Sequence, residues 1–395
     1  MVRKHKFQIL DLGMHPFADT FINKNQLIKS EPIFPLKCEL DTRTGLISSM
    51  IKTDVYERYN LYEYSYTSSN SKFLRDYWTD LSKKLIKGLK INKKTKILEI
   101  GSNDGYLLSK FKKKTKNLVA VDASIFMTKI TKKKKIKSLN LIFDNKSANK
   151  IKNKFGLFDL VIANNVVHHS SNPDNFIKGI KKILNKNATF VFEVPYWLTM
   201  VKNKNFDQVY HEHTTHFNVK SLNYLCSKNN LEIKNIEFTK NHGSSLRVFS
   251  KISNKPKINK QSIKLIKNEN KHKIFSPKTY KIIEKELHKR KLNFLIKLIK
   301  FKLKGYKIIG IGAAAKANTF INLLGLNKFL IDYVTDVSEY KIGKYTPLSR
   351  IPIYKDEKIK SAGDKVIAIA MAWNIGRMLK NKILKINNKV KFLNI

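Results

Sequence analysis

The sequence predicts an α/β protein in which a small N-terminal domain precedes two Rossmann-like domains. Two observations predict the Rossmann-like domains. At 96–111, and again at 306–319, an apolar run typical of a buried strand leads into a glycine turn and then into a helix. In both places a second apolar run ends in an acid about 20 residues after the turn, an arrangement typical of nucleotide-binding α/β units.

The remaining segments divide the chain around these two units. Residues 1–71 are expected to form a small, loop-rich N-terminal domain, and apolar residues at helical spacing over 73–89 predict a helix that leads into the first Rossmann-like domain, 72–250. Residues 251–304 are Lys-rich with helical periodicity near their end, so they are expected to form a helical connector. The second Rossmann-like domain is expected to occupy 305–395.

Composition limits the function classes. The formal net charge is +48, which would suit a nucleic-acid partner, but the excess is nearly all Lys and is spread over every segment. We therefore expect these lysines to lie on solvated faces, with no stable nucleic-acid partner. The N-terminus lacks the apolar core of a signal peptide, and no uncharged run reaches membrane-spanning length. A cytoplasmic protein without membrane insertion is expected, and no oligomeric state is predicted.

The first glycine turn, Gly101-Ser102-Asn103-Asp104-Gly105, separates two predicted strands. Ligands of open α/β sheets bind just outside the carboxyl ends of such strands. Two glycines let a cofactor approach the backbone closely, and Asp122, at the end of the second strand, can accept hydrogen bonds from a ribose. A dinucleotide fold would instead require Gly-x-Gly-x-x-Gly at this turn.

This stretch resembles motif I of the class I S-adenosylmethionine (SAM)-dependent methyltransferases. The resemblance implies SAM as the cofactor and Asp122 as the acid that holds its ribose. Asn164, at the end of the predicted strand 158–163, is expected to contact the methionine part. The expected cofactor-binding residues are Glu99, Gly101, Asn103, Gly105, Asp122 and Asn164.

The densest group of chemically active side chains is Tyr210-His211-Glu212-His213-Thr214-Thr215-His216-Phe217. Its histidines could hold a metal or bond the backbone. However, their spacing is neither His-Glu-x-x-His nor His-x-x-x-His on a helix face. Acid/base chemistry is the interpretation that the sequence favours, and no metal is expected.

Three motifs resemble the C-methyltransferases that act on nucleotide-linked 4-keto-6-deoxy sugars. They are the Tyr-His-Glu-His-x-x-x-Phe at 210–217, the Ala-Asn-Asn-x-x-x-His at 163–169 and the Gly-x-x-Ala-Lys-x-Asn-Thr at 312–319. The resemblance covers almost the whole chain in the same order. It implies a nucleotide-activated deoxysugar as substrate and methylation of a carbon next to a ketone.

Such a carbon becomes nucleophilic only after it loses a proton, so the enzyme needs a base beside it and donors for the enolate oxygen. The resemblance implies His213 as the general base, with Glu212 orienting or tuning it. It places Tyr210, Tyr64 and His169 around the sugar, as enolate donors or positioning residues.

The N-terminal domain departs from the family in its metal site. The family holds zinc there with two Cys-x-x-Cys pairs, whereas this chain has only Cys38 and Cys226. The matching positions near the second pair hold Asp41 and Thr44, and Cys38 is expected to be a buried small hydrophobe. Because a structural zinc site needs four ligands, no zinc is expected.

The second glycine turn, Gly310-x-Gly312-x-x-Ala315, would by itself suit a dinucleotide, so an NAD-dependent oxidoreductase is an alternative for this half. The family resemblance instead implies that this domain helps to seat the nucleotide-sugar. Lys316, Asn318 and Lys341 are candidates for diphosphate contacts, because cationic and amide donors suit phosphate oxygens.

Three further alternatives remain. The same fold could methylate a sugar oxygen or nitrogen. A nucleic-acid methyltransferase would account for the charge, although Asn164-Asn165-Val166-Val167 is not the Asn/Asp-Pro-Pro-aromatic turn that holds a flipped base. A non-catalytic member of the family is disfavoured by the intact motif at 210–213.

Overall fold

The computed structural model describes residues 5–60, 67–69, 71–206, 208–239, 244–372 and 375–393. The N-terminal part contains β1 (Lys6–Pro16), β2 (Ile33–Asp41), β3 (Ile47–Ser49) and α1 (Val55–Asn60). The central part contains α2 (Lys72–Gly88), β4 (Ile97–Ile100), α3 (Tyr106–Ser109), β5 (Leu118–Asp122), α4 (Ile125–Lys133), β6 (Lys137–Asn140), α5 (Asn145–Phe155), β7 (Phe158–Asn164), α6 (Pro173–Ile183), β8 (Leu184–Pro195), α7 (Trp197–Asn203), β9 (Thr215–His216), α8 (Val219–Lys228), β10 (Leu231–Thr239) and β11 (Ser245–Ile252). The C-terminal part contains α9 (Lys260–Lys271), α10 (Pro277–Leu303), β12 (Lys307–Ile311), α11 (Ala315–Leu323), β13 (Tyr333–Thr335), β14 (Ile353–Tyr354), β15 (Val366–Ala370), α12 (Gly376–Ile386) and β16 (Lys391–Leu393). Short 3-10 helices lie at Lys24–Gln26, Val167–His169 and Asp356–Ser361.

The N-terminal strands form an antiparallel sheet in the order β1-β2-β3-β9. The expectation of a loop-rich unit is therefore wrong. Two register shifts interrupt the pairing of β1 with β2, and Gly13 beside one of them has φ +83°. Such irregularities break the period-two alternation by which a strand is read from sequence. The fourth strand, β9, comes from the central part and lies within the histidine motif at 210–217.

The central sheet has seven strands in the order β10-β11-β8-β7-β4-β5-β6. Strands β4 to β8 are mutually parallel, while β11 runs antiparallel between β8 and β10. Apolar side chains from both faces of this sheet are buried under the flanking helices. The predicted order of strand, glycine turn, helix and strand is confirmed at 97–122. The carboxyl ends of β4, β5 and β7 lie side by side.

The C-terminal sheet is parallel, with five strands in the order β14-β13-β12-β15-β16. Its central strand β12 leads into the second glycine turn. The sheet therefore has the crossover at its centre that defines a Rossmann-like unit. The α/β class with two Rossmann-like units is confirmed.

Several contacts cross the predicted domain boundaries. Phe21 packs into the core of the C-terminal sheet, and Ile22 forms a bridge with Tyr345. In α9, the buried Glu269 accepts hydrogen bonds from Tyr196 Oη at 3.0 Å and from the Val219 amide at 2.6 Å, so this helix is tied to the central part. The boundaries 71/72, 250/251 and 304/305 stay predictions.

Among the described residues, no helix has both the length and the apolar character that spanning a bilayer demands.

Candidate active site

A cavity of about 520 Å³ lies where the carboxyl ends of the parallel strands in the central and C-terminal sheets approach each other. Side chains from the N-terminal, central and C-terminal parts all line it. The central and C-terminal parts contribute residues predicted from the sequence, whereas the N-terminal part contributes Asp19, Val55, Tyr59, Ser68 and Ser71, which were not predicted. The lining includes Glu99, Gly101, Asn103, Asp122, Asn164, His169, Tyr210, Glu212, His213, Lys316 and Lys341.

The first glycine turn is shaped by its packing. Gly101 has φ +64° and Gly105 has φ +69°, a region that favours glycine. A Cβ on Gly101 would lie 2.0 Å from Val166 Cγ2, and one on Gly105 would lie 2.8 Å from Thr131 Cγ2. The glycines are thus required by neighbouring side chains as well as by the backbone conformation.

Asp122 closes the turn from the next strand. Its Oδ2 accepts the backbone N–H of Asn103 at 2.7 Å, and its Oδ1 accepts the N–H of Ser124 at 2.9 Å. Burial raises the pKa of this carboxyl to about 6, against the effect of the two amide donors. Each carboxylate oxygen can accept more than one hydrogen bond, so the group can also accept ribose hydroxyls.

Polar atoms on the cavity wall fit a polar cofactor. Within the described part of the chain, the side-chain Nδ2 and Oδ1 of Asn164, Oε2 of Glu99 and Oγ of Ser102 are buried without a hydrogen-bond partner. Buried polar groups without partners are rare in proteins. Burial is also the first cause that raises the pKa of Glu99 well above its ordinary value, followed by the nearby Asp104. Asn164 and Glu99 are both predicted cofactor contacts.

The predicted catalytic residues come together on the other wall. The rings of Tyr210 and His213 are tilted by 34° with centroids 3.8 Å apart, and the ring centroid of His169 lies 4.9 Å from that of His213. The Nδ1 of His213 lies 2.8 Å from the carbonyl oxygen of Gln208. Tyr64 is the exception, because it lies outside the described residues.

Glu212 is buried beside the N-terminal part. Its Oε1 accepts the backbone N–H of Asp19 at 2.9 Å. Burial raises its pKa to about 7, with a further upward contribution from the charge of Asp19. The raised pKa favours the protonated form of this carboxyl relative to an exposed glutamate.

Sequence reasoning missed Arg58, which is 2% exposed. Its Nη1 donates to the backbone carbonyls of His169 at 3.3 Å and Glu212 at 3.2 Å, so α1 holds both catalytic segments. No local pattern indicates it, since the tyrosine-rich stretch around it does not reveal a buried arginine.

Two other residues on this wall were missed. Tyr59 Oη lies 2.5 Å from Nδ1 of His169. His168 Nε2 lies 3.0 Å from His213 Nε2. His168 is the neighbour of a selected histidine, and only the position of the turn after β7 shows that it faces His213.

Three of these histidines could also hold a metal ion. One donor atom each from His168, His169 and His213 lies within 4.8 Å of the others. The set was not foreseen, because its members come from two separate segments.

At the family's zinc position in the N-terminal part, Asp41 Oδ1 accepts the amides of Arg43 at 2.9 Å and Thr44 at 3.2 Å, forming a turn. Burial raises the pKa of the Cys38 thiol to about 12, which disfavours a thiolate ligand.

The C-terminal wall brings together two of the three predicted diphosphate contacts. Lys316 and Lys341 line the cavity. Lys341 Nζ donates to the carbonyl of Ala313 at 2.7 Å and lies 3.7 Å from the Asp19 carboxylate, so it also joins two parts of the chain. Asn318 is 1% exposed, and its Nδ2 donates to the carbonyl of Ala18. Asn318 therefore joins the C-terminal wall to the N-terminal part and does not line the cavity.

Comparisons with known proteins agree with this architecture. Residues 69–236 match the family model described as a methyltransferase domain, and residues 240–393 match the one described as the C-methyltransferase C-terminal domain. The chain is a SAM-dependent methyltransferase with a C-methyltransferase C-terminal domain. Along its length this methyltransferase is similar to the C-methyltransferase NovU of Streptomyces niveus, with 23% identity over 93% of this chain and 87% of that protein.

Solved structures give more distant similarities to the methyltransferase. A magnesium protoporphyrin IX methyltransferase from Synechocystis PCC 6803 with bound SAM is 10% identical over 45% of this chain and 79% of that chain, with a TM-score of 0.35. A SAM-dependent methyltransferase from Anabaena variabilis ATCC 29413 is 12% identical over 46% of this chain and 86% of that chain, with a TM-score of 0.36.

Proposed function

We propose that this methyltransferase transfers the methyl group of SAM to the carbon next to the ketone of a nucleotide-linked 4-keto-6-deoxy sugar, through an enolate. The observation that carries the proposal is the shared cavity. It places the carboxyl edge that suits SAM, the His213 cluster and the C-terminal wall around one space. A methyl donor, a base and a nucleotide-sugar would need to meet in such a space.

Asp122 would hold the ribose of SAM. Its carboxylate is already oriented by the amides of Asn103 and Ser124. The unpartnered amide atoms of Asn164 and the Oε2 of Glu99 would bond the methionine part. When bound, SAM supplies the electrophilic methyl group. Gly101, Asn103 and Gly105 would shape the turn against the cofactor.

His213 would act as the general base. A carbonyl oxygen can only accept a hydrogen bond, so the contact with Gln208 assigns the proton of neutral His213 to Nδ1 and makes Nε2, which lies 3.0 Å from Nε2 of His168, the basic nitrogen. An imidazole titrates near neutral pH and suits this transfer. The substrate C–H bond breaks, its electron pair forms the enolate, and the proton goes to His213.

The enolate oxygen needs donors, and several hydroxyl and imidazole groups are close to His213. The Tyr210 ring packs against its ring, while His169 lies beside it and bonds to Tyr59. Tyr64 keeps the role that the family resemblance implies. Arg58 and Glu212 would position this group, since Arg58 binds the backbone of both segments. The enolate carbon would then accept the methyl group that bound SAM supplies, with S-adenosylhomocysteine as the second product.

The C-terminal wall would seat the nucleotide. Lys316 and Lys341 place cationic side chains at the cavity, where a diphosphate would be attracted, while Asn318 would support them through Ala18. The match of residues 240–393 to a C-methyltransferase C-terminal domain favours this role over a redox cofactor site.

The test is a product analysis. The enzyme is incubated with SAM carrying a deuterated methyl group and with a panel of nucleotide-linked 4-keto-6-deoxy sugars. We expect the label on a ring carbon next to the ketone, located by NMR. A label on oxygen or nitrogen would replace the proposal with the alternative acceptor. His213→Asn should abolish transfer, whereas His288→Asn, on the exposed face of α10, should not.

A further inference from the structure

Helix α10 is apolar on two opposite faces. Phe294 and Leu298 are buried in the core of the C-terminal sheet. On the other side, spacings of four, three and four residues place a second apolar row along one line of the helix surface. The exposed fractions of its side chains run from 46% to 83%. This row, the α10 stripe, consists of Leu292, Ile296, Ile299 and Leu303.

A further apolar side chain is exposed near the end of the same helix. Phe329 is 75% exposed and lies in the segment between α11 and β13. That segment is attached to the end of α10, because Lys302 Nζ donates to Asp332 Oδ2 at 2.7 Å. Apolar side chains that are exposed singly are ordinary on a protein surface, whereas a contiguous group of them marks a site of interaction.

Lysines border the stripe. Residues 287–307 contain no acidic residue. At about 100° per residue, Lys289 and Lys300 fall along one edge of the stripe, and both are exposed. Lys291 and Lys302 fall along the other edge. An apolar row between two cationic edges is complementary to a partner that offers both negative charge and an apolar interior.

We propose that the α10 stripe docks the enzyme on the surface of an anionic phospholipid bilayer. The helix lies in the plane of the interface, with the stripe at the boundary between headgroups and acyl chains. The bordering lysines reach the lipid phosphates. Such adsorption needs no helix that crosses the bilayer. It is independent of the proposed methyl transfer, because none of the four residues of the stripe lines the cavity.

Charge and polarity together favour this partner over two others. In a two-fold pair of copies the stripe would meet itself, so the lysines on its edges would face each other and repel. A nucleic acid would neutralise the lysines but would leave Leu303 and Phe329 in water. An anionic bilayer suits both kinds of side chain, since its surface charge attracts each lysine while its interior removes the apolar side chains from water.

The experiment measures co-sedimentation of the enzyme with vesicles that contain about 30% phosphatidylserine in phosphatidylcholine, and with vesicles of phosphatidylcholine alone. We expect binding to the first that weakens as salt is raised, and little binding to the second. Ile296→Gln with Leu303→Gln should weaken binding about tenfold or more, because glutamine stays hydrated. Ile28→Gln, at a 93% exposed side chain of the N-terminal part, is the control.

A second pair of variants tests the charge. Lys289→Glu with Lys300→Glu should weaken vesicle binding by about thirtyfold or more, since each lysine near an anionic surface adds a similar share of the affinity. The control with the same change in net charge is Lys150→Glu with Lys152→Glu, on the exposed face of α5. Its binding should stay close to that of wild type, because charges beyond a Debye length from the membrane contribute little.

Three results would overturn the docking site. One is wild-type vesicle binding by the glutamine variant, and another is binding that does not distinguish the two kinds of vesicle. The third is a dimer of the wild type, seen by sedimentation velocity without lipid, that the glutamine variant loses, because the stripe would then belong to a second copy. Unchanged thermal unfolding shows that the variants are folded. Since vesicle binding requires no sugar, failure of the proposed methyl transfer leaves this test intact.

Discussion

The Oδ2 of Asp122 accepts the backbone N–H of Asn103 at 2.7 Å, which joins the end of β5 to the glycine turn after β4. This bond presets the edge of the cavity against which SAM would bind. The C-terminal unit repeats it, since Asp336 Oδ2 accepts the N–H of Ala313 at 2.7 Å and its Oδ1 accepts that of Ser338 at 2.8 Å.

Asp122→Asn should weaken SAM binding, because an amide offers one acceptor oxygen where the carboxylate offers two. A hydrogen bond to a charged group contributes about 1.5–3 kcal/mol, so the Kd measured by calorimetry should rise by at least about tenfold. Since burial raises the pKa of Asp122 to about 6, the wild-type affinity should fall as the pH drops below 6, while the variant should be flat there. Asp80→Asn, on the exposed face of α2, is the control. Equal affinities for SAM would exclude the contact with the ribose.

Gly101→Ala should destabilise the protein more than Gly13→Ala does. Both glycines have positive φ, which costs a side chain about 1–2 kcal/mol. Only at Gly101 would the new Cβ also collide with Val166, whereas nothing lies within 4 Å at Gly13. Thermal unfolding of the single variants and of Gly101→Ala with Val166→Ala measures the difference. The double variant should recover part of the loss, and additive losses would show that Val166 is not the obstacle.

Arg58→Lys should lower kcat by about tenfold or more, with little effect on the Kd for SAM. A lysine keeps the charge but cannot present several donors in a fixed plane to the carbonyls of His169 and Glu212. The exposed Arg43→Lys is the matched control. If kcat stays at the wild-type value in Arg58→Lys, the guanidinium is not what positions the two segments.

Glu212→Gln should be more stable than wild type at pH 8 and should lose that advantage below pH 5. The folded pKa of Glu212 is raised to about 7 from an ordinary value of 4.5. The folded protein therefore binds the proton more tightly than the unfolded chain, so wild-type stability falls as the pH rises through this window. Urea unfolding of both proteins at several pH values measures their free energies of unfolding. A difference in unfolding free energy that stays constant with pH would show that this carboxyl does not titrate in the window.

Added Zn²⁺ should inhibit the enzyme, whereas treatment with a chelator should leave the activity unchanged. The donors of His168, His169 and His213 converge within 4.8 Å, and zinc bound there would occupy the lone pair that His213 needs as a base. The proposed proton transfer itself uses no metal. Loss of activity with the chelator and its return with zinc would contradict the prediction.

The sequence was most informative where patterns are local. The glycine turn at Gly101 and the acid at Asp122 follow from strand and turn patterns, and both parallel sheets were foreseen from them. The group around His213 depended on a resemblance between motifs. Neither the local patterns nor the motif resemblance could show that β9, after His213, pairs with β3 in the N-terminal sheet, because such a pairing joins distant segments.

The residues that sequence reasoning missed also depend on contacts between distant segments. Arg58 and His168 act on partners more than 40 positions away, through contacts that no local periodicity records. Asn318 was selected for its chemistry, yet folding turns it towards Ala18 instead of the cavity.

The proposed mechanism requires His213 to remove a proton from the carbon next to the ketone. Solvent deuterium exchange into a nucleotide-linked 4-keto-6-deoxy sugar in D₂O without SAM, followed by mass spectrometry and NMR, measures this step. We predict exchange at that carbon in wild type and in His288→Asn, and no exchange in a folded His213→Asn. Undiminished exchange in His213→Asn would contradict the assignment of the base, and methylation of the sugar without any exchange in wild type would contradict a freely reversible enolate.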